Sequence, residues 1–273
     1  MRKLLITEEE KNHIKKLHNI NEQSFIEKAL ALAMKKMFEK PSKTSSSSEE
    51  NPSETGTTTT NTPVNGDVKI VGNFDSEQQK NINLLIDKMN EAGITNPYTQ
   101  VGILSVINKE CNFKPKSEVS YATTSNSRIR KIFGKRVAGY SDSELDALKR
   151  DQRKFFNVVY AKTVGNQGGE DGFMYRGRGF NQLTGIKNYE KYSRMIGMGD
   201  ELVKNPDLVN DPEIAAKIAI AFFTKGKSPS TFPNFTDKKE AAEYFADINA
   251  GGTVSSHRAH AVAKIDNFDI NVA

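Results

Sequence analysis

Residues 172–189 read GFMYRGRGFNQLTGIKNY, and this stretch carries the strongest structural signal in the chain. Its closely spaced glycines do not fit a helix, because glycine loses more conformational freedom on folding than any other residue. We predict a hairpin or loop over the interval from Gly168 to Gly185. Within it, Gly177, Gly179 and Gly185 are expected to serve backbone geometry, where φ is positive or space is tight.

Helical patterns surround this interval on both sides. Each predicted start offers a side-chain oxygen that can accept a hydrogen bond from a free backbone N–H, or a proline suited to the first turn. The first two helices are expected to end at Gly93 and near Glu110, and a later one to run on through residues 155–162. The starts are Asp75 or Ser76, Asn96–Pro97, Ser141 or Ser143, Asp211–Pro212, Thr236 or Asp237, and about Ser255.

The first quarter of the chain has a different composition. Residues 41–67 are almost entirely Ser, Thr, Asn, Pro and Glu, so they have little to bury and are predicted to form a flexible linker. Residues 1–40 carry apolar residues at helical spacing after a capping pattern at Thr7 and Glu10. This predicts a helical segment that either packs on the rest of the protein or anchors it to another protein, such as a particle. The predicted domains are 1–40, 41–67 and 68–273.

The net charge of +5 lies entirely on residues 68–273, which hold 29 basic and 24 acidic residues. A positive field of this kind favours encounter with a polyanion, although ordinary solubility explains it equally well. The single cysteine, Cys111, excludes an internal disulfide. No apolar run is long enough for a signal-peptide core or a membrane span. We therefore expect synthesis in a bacterial cytoplasm, with delivery by another route if the substrate lies outside.

Several catalytic chemistries lack the residues that they need. A zinc hydrolase requires several clustered ligands, but the domain holds only His257 and His260, which are typical of a polar helix face. Cys111 has no histidine near it in sequence, so nucleophilic use is not favoured. Neither a GxGxxG turn nor a phosphate-binding loop is present. The sequence predicts no metal, no cofactor and no nucleic-acid partner.

Carboxylates remain, and cleavage of a glycosidic bond needs two of them. Glu110 follows the apolar helix VGILSVINKE, where burial could hold a proton near neutral pH. Glu118 comes eight residues later in a polar loop, which suits an ionised group. Spacing alone is a weak signal, since glutamates at helix ends are commonly solvated.

Three blocks of the chain resemble family 19 of the glycoside hydrolases, which comprises plant-type chitinases and many phage endolysins. Residues 158–189, VVYAKTVGNQGGEDGFMYRGRGFNQLTGIKNY, are similar to the most characteristic block of that family. Residues 101–121 resemble its acid-bearing helix and loop, and INAGG at 248–252 followed by Arg258 resembles a later loop and helix. The resemblance implies a lysozyme-like α+β domain that is mainly α, with a small β-hairpin.

The resemblance also implies a catalytic set and an inverting mechanism. Glu110 would be the general acid and Glu118 the general base that activates a water molecule. The hydroxyl of Thr184 would help to hold that water. The loop that leads to Glu118 is about one residue shorter than in many endolysins, and Cys111 and Asn112 stand where relatives commonly carry Ser or Thr and then Gly.

Substrate contacts follow from the same comparison. Gln182 and Asn188 would hydrogen-bond the sugar, while Tyr175 and Asn249 would line the cleft. Tyr175 could equally belong to the core.

The two arginines of the block admit two interpretations. Arg176 and Arg178 could bind acidic groups of a glycan, or pair with Asp171 or Glu170 inside the fold. We favour the structural role for at least one of them.

We predict a peptidoglycan-degrading endolysin or virion-associated lysin that cuts β-1,4 bonds between amino sugars. The positive charge, the missing chitin-binding cysteine framework and the lack of tryptophan, on which chitin-binding clefts often stack sugars, favour peptidoglycan over chitin. A chitinase of the same fold and a non-catalytic wall-binding or particle protein are the alternatives. A holin or a virion would give access to the cell wall.

Overall fold

The structure, a computed structural model, describes residues 66–119 and 121–272. The predicted N-terminal helices and nearly all of the predicted linker lie outside these residues. Gly66 and Asp67, the last two residues assigned to the linker, are the first residues of a β-strand. The division into domains otherwise stays a prediction.

The described chain is mainly helical, as predicted. Two strands, β1 (Gly66–Ile70) and β2 (Phe268–Val272), frame the helices. The α-helices are α1 (Ser76–Glu91), α2 (Pro97–Cys111), α3 (Asn126–Phe133), α4 (Asp142–Arg150), α5 (Gln152–Val159), α6 (Asp171–Met174), α7 (Ile186–Met195), α8 (Glu201–Lys204), α9 (Pro212–Thr224), α10 (Lys238–Ala250) and α11 (Ser255–Val262). Short 3-10 helices occupy Gly134–Val137, Pro206–Asn210, Pro229–Thr231 and Ile265–Asn267.

The small sheet joins the two ends of the described chain. Strands β1 and β2 pair antiparallel, with Gly66 opposite Val272 and Ile70 opposite Phe268. The sheet is thus not a hairpin, since almost 200 residues separate its strands. The mainly α architecture with a small antiparallel sheet is confirmed and is consistent with a lysozyme-like fold.

Most of the predicted helix starts are confirmed. Asp75, Asn96, Asp211 and Asp237 each accept a hydrogen bond from a backbone N–H in the first turn of the helix that follows. The long helix predicted from Ser141 is instead two helices, because Asp151 is extended and caps α5 through its carboxylate. No helix of the described chain has the length and apolar content that a bilayer crossing requires.

The glycine-rich interval forms a loop with little regular structure. Helix α6 spans only four residues, and a single antiparallel β-bridge joins Arg178 to Leu183. Gly179 and Gly185 have φ of +74° and +86°, as expected for glycines chosen for backbone geometry. The φ of Gly177 is outside the left-handed region. A glycine is instead favoured here by close packing, because a Cβ would lie 2.9 Å from Gln182 Oε1.

Helices α2 and α10 form the centre of the main core and bring distant residues together. A Cβ at Gly102 would lie 2.8 Å from the backbone of Ala241, so the two helices touch at this glycine. Glu110 and Asn249 each lie eight residues further on, about 12 Å along either axis. Their side chains meet, which shows that the two helices run in the same direction at this point.

Candidate active site

Glu110 lies in the last turn of α2, with its side chain 20 % exposed. Its Oε1 accepts hydrogen bonds from Asn249 Nδ2 at 2.8 Å and from Lys109 Nζ at 2.5 Å. Both donors are on one oxygen, so Oε2 is the atom available to a ligand. The structure thereby brings Asn249 beside Glu110, although 139 residues separate them.

The corner that carries Asn249 is fixed by a charged pair. The guanidinium of Arg258, on α11, binds both carboxylate oxygens of Asp247, on α10. This pair lowers the pKa of Asp247, because Arg258 hydrogen-bonds the ionised carboxylate. Gly251 ends α10 in the left-handed conformation, with φ of +72°. Residues 248–250, expected in a loop, are the end of α10, and the pair of Asp247 with Arg258 supports this helix end beside Asn249.

A sharp turn separates the two glutamates. Asn112 and Phe113 both have positive φ, 51° and 58°, which is uncommon for residues other than glycine. The ring of Phe113 is fully buried, and its carbonyl accepts a 2.8 Å hydrogen bond from Asn81 Nδ2. Packing and hydrogen bonding thus hold a strained turn that redirects the chain from Glu110 to Glu118.

Glu118 is held from one side by two phenols. Its Oε1 accepts hydrogen bonds from Tyr121 Oη at 2.6 Å and Tyr160 Oη at 3.1 Å, and its backbone N–H donates to Gly177 O at 2.7 Å. Burial and the neighbouring carboxylate raise the pKa of both tyrosines, so the hydroxyls remain donors. The described residues donate no hydrogen bond to Oε2.

Three polar atoms converge on a small space beside Gly177. A Cβ at Gly177 would lie 2.9 Å from Gln182 Oε1, 3.3 Å from Glu118 Oε2 and 3.4 Å from Thr184 Oγ1. The Thr184 hydroxyl donates to Gln182 O at 2.9 Å, which leaves its lone pairs able to accept. The Cβ position itself lies about 1.5 Å from Gly177 Cα, so a water molecule would have to lie beyond it. The three acceptor oxygens are on the same face of Gly177, where a water molecule could donate its two protons to them.

This convergence depends on contacts between two loops. Gln182 has a φ of +52°, and its Nε2 donates to Lys116 O and Gly179 O, both at 3.1 Å. Asn188, in the first turn of α7, donates from Nδ2 to Thr184 O at 2.8 Å. Gln182 and Asn188 therefore orient the Thr184 backbone and the Glu118 loop. Their assignment to sugar binding stays a prediction.

Tyr175 does not have the surface position expected of a cleft residue. It is 7 % exposed, its ring packs on Tyr189 with centroids 5.3 Å apart, and its hydroxyl donates to Val203 O at 3.3 Å. Burial raises the pKa of this phenol. These contacts correspond to the alternative that Tyr175 belongs to the core.

Arg178 has the structural role that was favoured for one arginine, but with a different partner. It is 2 % exposed and donates to Asp207 Oδ1 at 2.9 Å, Met174 O at 2.7 Å and Tyr189 Oη at 3.0 Å. The expected partners, Asp171 and Glu170, are bound elsewhere: Asp171 accepts from Gln167 N and Glu170 from Arg153.

Arg176 is also buried, and it stacks on an aromatic ring. Its guanidinium carbon lies 4.1 Å from the ring centroid of Phe173, and Nη1 donates to Phe173 O at 2.8 Å. Burial and the nearby Arg178 lower its pKa. Its Nε has no hydrogen-bond partner in the described chain.

The thiol of Cys111, the residue considered as a nucleophile, is buried in the main core. Cys111 is 5 % exposed, and burial raises the pKa of its thiol to about 12, which disfavours the nucleophilic thiolate. No group of three or more His, Cys, Asp or Glu side chains among the described residues could hold a metal ion.

Tyr121 and Tyr160 are the functional candidates that sequence reasoning missed. Tyr121 lies three residues after Glu118, and Tyr160 is part of the VVY motif in the 158–189 block. The signal was present in both cases, but hydrogen bonding to Glu118 depends on α5 packing against the Glu118 loop. Both rings lie in the aromatic cluster around Phe133.

We expect Tyr121→Phe and Tyr160→Phe each to lower kcat on the cleaved polymer about tenfold, since a hydrogen bond to a charged group contributes roughly 1.5–3 kcal/mol. KM should change little, because the phenols contact Glu118 and not the sugar. Steady-state kinetics with a thermal-melting control would test this. Tyr140→Phe is the matched control, because the Tyr140 hydroxyl has no hydrogen bond within the described chain. An unchanged kcat in the double variant would contradict the role of the phenols.

A helical domain that holds two carboxylates on separate segments has the groups that glycoside hydrolases use. The family model "Chitinase class I" matches residues 147–254. Through this region the chain is similar to that family, family 19 of the glycoside hydrolases, which supports the resemblance found in the sequence. The match contains Gln182, Thr184, Asn188 and Asn249, while both glutamates precede it.

Similar curated proteins are plant enzymes. The chain is 40% identical over 90 residues to the "Acidic 26 kDa endochitinase" of Solanum lycopersicum, covering 28% of this chain and 36% of that one. It is 32% identical over 112 residues to "Chitinase 8" of Oryza sativa subsp. japonica, covering 34% and 42%. The chain thus spans less than half the length of these relatives.

Proposed function

We propose that this protein is a glycosidase that hydrolyses β-1,4 bonds between amino sugars by an inverting acid/base mechanism. The observation that carries the proposal is the convergence of Glu118 Oε2, Thr184 Oγ1 and Gln182 Oε1 within 3.4 Å of one point beside Gly177. Glu110, held by Asn249, is the second carboxylate. The match of residues 147–254 to the chitinase family model supports the same chemistry.

In the proposed reaction Glu110 donates one proton and Glu118 accepts one. Glu110 donates a proton to the glycosidic oxygen as the bond from that oxygen to the anomeric carbon breaks. A water molecule held by Glu118 and Thr184 attacks the anomeric carbon from the opposite face, and Glu118 takes up a proton from it. Proton exchange with solvent restores both groups.

The two carboxylates are on separate segments of the chain, which suits a mechanism that inverts the configuration of the anomeric carbon. Inverting enzymes keep about 6.5–9.5 Å between the two groups so that water fits between them. Here Glu110 is on a helix end and Glu118 on a loop bound to the Gly177 segment. The phenols on Glu118 Oε1, and an Oε2 that accepts no hydrogen bond from the described residues, suit a base that works through water.

We propose peptidoglycan as the substrate. The absence of tryptophan from the sequence and the positive charge of residues 68–273 support this choice over neutral chitin. On this proposal the protein acts at a bacterial cell wall, reached through a holin or as part of a virion. Residues 1–40, whose apolar positions have helical spacing, would be the segment that binds the particle.

Chitin is the second candidate, and a specific observation favours it. The curated relatives that match residues of this chain are named endochitinases and chitinases. The same pair of glutamates would serve either polymer, because the scissile bond is the same.

Incubation of the full chain with purified peptidoglycan, and separately with chitin hexamer, tests the proposal. We expect peptidoglycan fragments with new muramic acid reducing ends by mass spectrometry, and the α-anomer as the first product by NMR. Cleavage of chitin alone would establish the second candidate. The β-anomer would contradict inversion, and new ends from neither polymer would contradict glycosidase activity.

A further inference from the structure

A strongly basic surface lies on helix α3 and the 3-10 helix that follows it. Residues 126–137, NSRIRKIFGKRV, contain five basic residues and no acidic residue. They form helix α3 and the 3-10 helix Gly134–Val137. Four of the five basic side chains define what we call the cationic surface: Arg128, Lys131, Lys135 and Arg136.

The fifth basic residue, Arg130, has a structural role. Its guanidinium pairs with Asp142 at 2.7 Å and donates to the carbonyls of Tyr140 and Val137. The four residues of the cationic surface are exposed, and none of them forms an ion pair within the described chain. Four positive charges within nine residues repel one another, so an anionic ligand would relieve an unfavourable arrangement.

Packing keeps the cationic surface outward and next to the candidate base. Ile129, Phe133 and Val137 are buried in one hydrophobic cluster with residues of α4 and α5, so the four charged residues between them face solvent. The ring of Phe133 contacts Tyr121 and Tyr160, with centroids 5.3 and 6.0 Å apart. The hydroxyls of these two tyrosines bind Glu118. Arg136 is also close enough to act on the Tyr160 hydroxyl electrostatically.

We propose that the cationic surface binds carboxylates of the polymer that occupies the active site, and so selects an anionic glycan. The inference rests on the proposed glycosidase function and deepens it. Peptidoglycan presents carboxylates on its peptide stems beside each cleaved bond, whereas chitin presents none. Lysine and arginine on one side of the site would then anchor the strand as it passes Glu118.

Nucleic acid fits this surface less well. Proteins that bind single-stranded nucleic acid combine positive charge with exposed aromatic rings for base stacking. The only aromatic residue in 126–137 is Phe133, which is 6 % exposed. Continuity with the Glu118 site instead indicates a ligand that is also a glycan.

The test compares two fourfold variants of the full chain that lose the same charge. Variant one is R128Q/K131Q/K135Q/R136Q, and variant two is K69Q/K80Q/K227Q/K239Q, whose lysines are exposed and form no ion pairs within the described chain. Binding to insoluble peptidoglycan is measured by co-sedimentation at about 0.05 M and 0.5 M salt. Cleavage of chitin hexamer is measured in parallel.

We expect variant one to bind peptidoglycan at least about tenfold more weakly at low salt, and variant two to bind as the wild type does. The difference should shrink at high salt, where screening acts within about 4 Å. Cleavage of chitin hexamer should be equal in all three proteins. Amidation of the peptidoglycan carboxylates should weaken wild-type binding as much as variant one does.

Several outcomes would overturn the proposal. Equal losses in both variants would show that only net charge matters, and a loss of chitin cleavage confined to variant one would show that the surface does not act through carboxylates. Tighter surface-dependent binding to DNA than to peptidoglycan at equal salt would identify a different ligand. Because binding is measured apart from cleavage, peptidoglycan that is bound through this surface but not cut would contradict the proposed function alone.

Discussion

Glu110→Gln is expected to lower kcat on the cleaved polymer by about 10³-fold, within the 10²–10⁴ range typical of general acid catalysis. The substitution keeps the shape of the side chain but removes the proton that the leaving oxygen needs. Because Oε1 already accepts hydrogen bonds from Asn249 and Lys109, the transferable proton belongs on Oε2. The amide can still accept the Asn249 hydrogen bond through its oxygen, so the fold should be unchanged.

A substrate that needs no protonation separates an acid from a residue that only binds. A dinitrophenyl glycoside of a chitin oligomer has a leaving group that departs without a proton, so Glu110→Gln should lose far less activity on it. Glu118→Gln should lose equally on both substrates, since both need activated water. Glu240→Gln, an exposed glutamate in the first turn of α10, is the matched control. Equal losses of Glu110→Gln on both substrates would exclude general acid catalysis by Glu110.

Capping patterns within a few residues were sufficient to predict where several of the helices begin. The helix starts at Asp75, Asn96, Asp211 and Asp237 were predictable because each cap depends on a side chain and a backbone N–H within a few residues. The position of Glu110 at a helix end followed from the same rules. The break at Asp151 was missed, since the apolar spacing continues through it and only the extended backbone divides α4 from α5.

Contacts between distant segments were not predictable from patterns. Nothing in the spacing of residues indicates that Gly66–Ile70 pairs with Phe268–Val272, or that Arg178 pairs with Asp207. Such pairings depend on how the helices pack, which periodicity does not encode. For the same reason the assignment of Asn249 to the cleft rested on the family resemblance, and its hydrogen bond to Glu110 was not predicted.

Gly177→Ala is expected to lower kcat by about 10²-fold, the loss that a misplacement of about 1 Å can cause at a reacting centre. The new Cβ would lie 2.9–3.4 Å from Gln182 Oε1, Glu118 Oε2 and Thr184 Oγ1, and so would displace the oxygens that are proposed to hold the water. The nearest atom is the end of a flexible side chain. Gln182 can therefore move, and folding should survive the substitution.

The backbone conformation of Gly177 is allowed for alanine. A substitution at Gly177 therefore tests the space around it without adding the backbone strain that a substitution at Gly179 would add. Gly179 has a φ of +74°, where any side chain is strained, whereas Gly177 is outside the left-handed region. Gly139→Ala is the matched control, because a Cβ there has no atom within 4 Å and the φ is not positive. Thermal melting and kcat should be measured for both. Full activity in Gly177→Ala would show that Gln182, Glu118 and Thr184 do not hold the attacking water molecule beside this glycine.

A double-mutant cycle with Thr184→Val distinguishes loss of the water from general damage to the loop. Thr184→Val removes one acceptor for the water, and Gly177→Ala displaces the oxygens around it, so both changes act on one step. Effects on a shared step are not additive, whereas independent damage to the loop would multiply. We therefore expect the double variant to be no slower than Gly177→Ala alone. A multiplied loss would mean that Gly177 and Thr184 act on different parts of the reaction, and the water would have to be held elsewhere on Glu118.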